Sequence, residues 1–101
     1  MKKTTTKVGA RKYTVEIVAE LREDGKQLLG LVDYSKGNIY IVNHMSKEHI
    51  MDTFLHEHLH AIAEERSVDL TEREVTQLAS GLTAFIVDNP KLFGKTFEEC
   101  F

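Results

Sequence analysis

Residues 46–66 read SKEHIMDTFLHEHLHAIAEER, a run without glycine or proline that contains His56-Glu57-His58-Leu59-His60. Ser46 is placed to cap a helix, and Glu48 and Asp52 follow early, where acid suits the positive helix end. A helix is therefore expected to about Arg66. At about 100° per residue, His56 and His60 differ by about 40° in azimuth and by about 6 Å along the axis, so both imidazoles can reach one ion. Glu57 falls about 100° from His56, beside the metal direction, where a base acting on an activated water should stand. His58 lies at about 200°, among Met51, Phe54 and Ile62 on the apolar side, and reads as a near-core histidine with a hydrogen-bond partner. His49 shares the azimuth of His56 lower on the axis, as cleft floor or solvated surface. His44 could approach from the strand side.

A catalytic zinc takes three protein ligands and keeps a fourth position for water, so the two histidines require a partner. The next helical segment, residues 71–88, is stopped by Asn89-Pro90 and offers Glu72 and Glu74 near its start. Thr71-Glu72-Arg73-Glu74 can form a capping box with Glu74, and Asp69-Leu70-Thr71-Glu72 a competing one with Glu72. Azimuth separates them: with Glu74 at zero, Leu78, Leu82 and Phe85 lie within about 80° of it, whereas Glu72 is near about 160°. Glu74 thus shares the stripe of large apolar residues, where an unpaired carboxylate is costly, and is expected as the third ligand, with Glu72 at the margin. Gly81, on almost the same face, would allow close approach of the first helix.

Before the histidine helix, Tyr13, Val15, Ile17, Ala19 and Leu21 alternate with Thr14, Glu16 and Glu20, the period of a half-buried strand. Asp24-Gly25 is a hairpin signal, residues 28–32 form the returning strand, and a turn at Ser35-Lys36-Gly37-Asn38 leads into residues 39–42. The expected fold class is α+β: a three-stranded antiparallel sheet packed on the histidine helix and on a second helix with the third ligand. Residues 1–12, with five cations and no acid, are expected as a flexible basic tail, and residues 13–101 as a single domain. Leu92, Phe93, Phe97 and Phe101 suggest a short docked turn or helix at the end.

At 101 residues there is one modest core and no room for a separate substrate domain. A net charge of −3 gives no basic footprint for nucleic acid. The single cysteine, Cys100, excludes an intrachain disulfide and fits a cytoplasmic protein. No apolar run approaches membrane-spanning length, and Met1-Lys2-Lys3-Thr4 leads into no signal-peptide core. Neither nucleic acid nor membrane is expected as a partner.

Thr53-Phe54-Leu55-His56-Glu57-His58-Leu59-His60-Ala61, followed by Glu74-Val75-Thr76-Gln77-Leu78-Ala79, resembles the IrrE/ImmA-like zinc metallopeptidases, a zincin family common in phages and mobile elements. The resemblance spans roughly residues 39–90. It implies a zinc metalloendopeptidase with Zn2+ held by His56, His60 and Glu74, and Glu57 as catalytic base. It also implies a minimal zincin-like domain, a protein or peptide substrate such as a repressor-type regulator, and a strand along the cleft that pairs with substrate backbone; residues 39–42 are the candidate. Tyr40 and His44 are candidate donors to the oxyanion, although packing suits Tyr40 better. Two departures stand out: the position of His58 is usually apolar in that family, and the additional regulatory segments of many members have no room here. A catalytically inactive, zincin-like protein-binding module is the alternative, but it leaves Glu57 without a use.

Overall fold

The computed structural model describes residues 3–93. Strands β1 (Lys3–Val8), β2 (Arg11–Val18), β3 (Arg22–Glu23), β4 (Lys26–Gln27), β5 (Gly30–Asp33) and β6 (Asn38–Val42) precede helices α1 (Lys47–Arg66), α2 (Glu72–Asp88) and α3 (Pro90–Phe93). The class is α+β, with a mixed four-stranded sheet in the order β1-β2-β6-β5 and a separate ribbon of β3 and β4. Here the expectation of a three-stranded antiparallel sheet needs correction. Asp24 and Gly25 do adopt positive φ, 52° and 79°. A tight hairpin requires such torsions, but this one closes only the short β3-β4 ribbon. The ribbon carries the chain past β2 without pairing to it, so β5 turns back on β6, and β6 lies parallel to β2, with Val15 opposite Ile39 and Ile17 opposite Ile41.

The basic tail is also corrected. Lys3–Val8 forms β1, antiparallel to β2, with Lys3 opposite Glu16 and Thr6 opposite Tyr13. Its lysines point outward, and Lys3 pairs with Glu16 at 2.9 Å, while Thr4, Thr6 and Val8 alternate toward α1. The β-branched threonines suit a pleated surface even though they supply little hydrophobic signal.

The inward face of the sheet supplies the core: Val8, Tyr13, Val15, Ile39 and Ile41 pack on Ala61 of α1, with Ile50, Phe54 and Val32 around them. Ser46 caps α1 by accepting from the His49 N–H at 3.1 Å, and Ser67 ends the helix in the left-handed region at φ 56°. α1 is held between the sheet and α2, which contributes Val75, Ala79 and Thr83 to the contact. α3 returns the chain so that Phe93 meets Phe85 edge to face, centroids 5.6 Å apart. Phe97, Cys100 and Phe101 lie outside the described residues. Among the described residues, no helix is long and apolar enough to cross a membrane.

Candidate metal centre

The histidines of α1 divide as helical geometry requires. His58 is buried at 8% exposure, between α1 and β1. Its Nδ1 lies 2.8 Å from the Phe54 carbonyl. A carbonyl can only accept, so Nδ1 carries the proton and Nε2 is left as an acceptor. Nε2 accepts from the Thr6 hydroxyl at 2.8 Å. Burial lowers the pKa of His58 below the ordinary 6.5, and the Phe54 hydrogen bond opposes that shift. The expectation of a near-core histidine with a partner is met.

His56 and His60 project from the other side, toward α2, with their Nε2 atoms 3.3 Å apart. That separation is close to the edge of a tetrahedron around a zinc ion with bonds of about 2.05 Å, which is about 3.3 Å. The carboxylate that joins them is Glu72: one oxygen lies 2.7 Å from His56 Nε2 and the other 3.0 Å from His60 Nε2. The donor atoms of His56, His60 and Glu72 lie within 4.8 Å of one another, and this group could hold a metal ion. Two imidazoles and a carboxylate form a known catalytic donor set for zinc, so the residues fit the ion.

Glu74, expected as the third ligand, does not reach the histidines. Its carboxylate accepts from the Thr71 N–H at 2.8 Å, while Thr71 Oγ1 accepts from the Glu74 N–H at 3.1 Å. Together these bonds complete a capping box. The reason lies in which face of α2 is buried. Val75, Ala79 and Thr83 are buried, whereas Leu78, Leu82 and Phe85 are 47%, 39% and 51% exposed. The small residues let α2 approach α1 closely, which turns the buried face about 140° away from Glu74 and onto the side of Glu72. The spacing of Val75, Ala79 and Thr83 was the signal available for this, hidden behind larger apolar neighbours. Glu72 is 69% exposed and bends in from the rim. Gly81, expected as a point of close approach, has open space around it.

The close approach occurs at Gly30 instead. A Cβ there would lie 2.7 Å from Thr53 Cγ2 and 2.9 Å from both Cγ and Oε2 of Glu57. β5 can therefore lie directly on α1, and Glu57 is held half-buried between the strand and the face that carries His56 and His60. Burial pushes its carboxyl from the ordinary 4.5 up to about 7, with His56 opposing the rise and Glu72 adding to it. A cleft of about 310 Å³ opens at this point, bordered by Gly30, Thr53, His56 and Glu57.

The strand beside the cleft is β5, not the segment 39–42. β6 is paired on both sides, whereas β5 is the edge of the sheet. Tyr40 alternates with the core residues Ile39 and Ile41, so it faces away from α1. Its hydroxyl accepts from Asn38 Nδ2 at 2.9 Å, and it is removed from the candidates for an oxyanion donor. His44 borders a small hollow with Leu21 and Val42 that shares Gln27, Leu28 and Leu29 with the main cleft, and His49 lines the main cleft.

His56, His60 and Glu72 could thus hold a metal ion, with Glu57 next to His56 and the edge strand β5 beside the cleft. No protein-family model, curated protein or solved structure matches this chain in sequence or fold.

Proposed function

We propose that the protein is a zinc-dependent metallopeptidase, with zinc held by His56, His60 and Glu72. The observation that carries the reading is that Glu57 borders one cleft with His56, and His56 converges with His60 and Glu72 into a two-histidine, one-carboxylate set. A structural zinc is normally closed by four protein ligands, and among the described residues three converge here. The resemblance of the His56–His60 segment to IrrE/ImmA-like peptidases agrees in the histidines and in Glu57, and differs in the carboxylate.

Zinc would supply Lewis acidity, lowering the pKa of a water and polarising the scissile carbonyl. The chain's own residues do the rest. Glu57 takes a proton from the attacking water and passes it to the leaving amine. The free edge of β5 would hold an extended peptide by backbone hydrogen bonds, bringing a carbonyl toward the cleft. A protein substrate, such as a repressor-type regulator in a phage-related setting, follows from the resemblance.

The test compares the native protein with Glu57→Gln, both loaded with one equivalent of zinc, on a panel of unfolded protein substrates. Cleavage by the native protein, reduced by at least about a thousandfold in the variant while zinc stays bound, is expected. If both bind zinc and are equally inert, the site belongs to a binding module.

A further inference from the structure

Beyond Glu57, the cleft continues along α1 toward the helix N-terminus. Its strand-side wall is formed by Gln27, by Leu28 and by Leu29, which is 46% exposed, so the two leucines give it an apolar patch. Its helical side carries Asp52, one turn before His56 and therefore near it in azimuth. A second hollow of about 360 Å³ opens between α1 and α2, bordered by Glu48; His49 and Asp52 border both hollows. Among the described residues the Asp52 and Glu48 side chains have no hydrogen-bond or ion-pair partner, and neither hollow is bordered by a lysine or arginine.

We infer that this cleft selects peptides with a lysine or arginine beside the scissile bond, and that Asp52 determines that specificity. The inference rests on the peptidase reading above. A basic side chain has two parts, an aliphatic stem and a charged head, and the cleft has a matching pair of surfaces. The stem would lie along Leu28 and Leu29 while the head meets Asp52, with Glu48 adding to the negative field. A glutamate in the same place would set like charges against each other across a partly desolvated gap, so discrimination comes as much from repulsion as from attraction. An aliphatic residue would cover the apolar patch and leave Asp52 solvated, giving an intermediate rate.

The experiment uses zinc-loaded full-length protein and peptides that differ only in carrying lysine, alanine or glutamate at each position around the scissile bond. At one position the native protein is expected to prefer lysine over alanine by about fivefold in kcat/KM, the upper size of one partly exposed ion pair. Asp52→Asn should collapse that ratio toward one, Asp52→Glu should preserve it, and Asp52→Lys should transfer the preference to the glutamate peptide. Circular dichroism and bound zinc confirm that each variant is folded. Cleavage by the native protein without a basic preference, or a preference that survives in Asp52→Asn, overturns the assignment and leaves the peptidase reading intact. Failure of the native protein to cleave any peptide while zinc is bound overturns both.

Discussion

Glu72 and Glu74 stand two positions apart at the start of α2 and have different work. Glu74 closes the capping box on Thr71, and Glu72 spans His56 and His60. Glu74→Ala should therefore lower stability by about 1 kcal/mol, as loss of a cap does, and leave zinc affinity nearly unchanged. Glu72→Ala should do the reverse: little change in the urea midpoint of the metal-free protein, but zinc affinity weakened by more than about a hundredfold, beyond what removal of an outer-sphere partner causes. Denaturation curves and zinc competition titrations on both variants would decide it, and the opposite pattern would restore Glu74 as ligand. The sequence could place both residues near the site, because the short connection from Ser67 to Thr71 brings the start of the second helix back alongside the first. It could not choose between them. The choice depends on rotation of α2 about its axis, and that rotation follows the small residues Val75, Ala79 and Thr83.

At the level of elements, two contacts position α1. Gly30 lets β5 touch it beside Glu57, and His58 ties it to β1 through Thr6. Adding a methyl group at Gly30 forces a shift at the buried Thr53 or at Glu57. Gly30→Ala is expected to destabilise the fold by about 1–3 kcal/mol, as overpacking does. It should also lower kcat/KM on the order of a hundredfold, because a base displaced by an ångström is poorly aligned. Unaltered cleavage by a folded Gly30→Ala protein would show that β5 does not position Glu57. Thr6→Val keeps the shape of the side chain but removes the donor to His58 Nε2, leaving that acceptor buried without a partner. A loss of about 1–3 kcal/mol is expected, measured by chemical denaturation. A loss near zero would mean that β1 is held by its pairing with β2 alone. The strands β2 and β6 and both long helices were legible from alternation and caps. β1 was not, because Thr4, Thr6 and their lysine neighbours carry the period of a strand without its hydrophobicity.

For the molecule as a whole, the half-buried Glu57 and the buried His58 tilt stability in opposite directions with pH. In the metal-free protein Glu57 is held up to about 7 from the ordinary 4.5, so across that interval the unfolded chain loses the proton while the folded chain keeps it. Rising pH then favours the unfolded state, and this contribution to stability falls between about 4.5 and 7. His58 is shifted below 6.5, so on acidification the unfolded chain takes a proton first and stability falls below 6.5. Glu57→Gln should remove the loss of stability on the neutral side and keep the loss on the acid side, as read from urea midpoints of the metal-free protein between about pH 4 and 8. A variant with the native pH profile would mean that Glu57 titrates as it does in water. Locally encoded features were determined by the sequence alone: the helix around His56, the separation of His58 from His56 and His60, the hairpin at Asp24-Gly25, and Glu57 as neighbour of His56. Each follows from a helical or strand period or from backbone torsion, properties of neighbouring residues. The parallel pairing of β2 with β6, the free edge at β5, the close approach at Gly30 and the selection of Glu72 over Glu74 were decided only by the tertiary structure. They depend on which surfaces meet when separate elements pack, and a pattern within one element does not contain the shape of its partner.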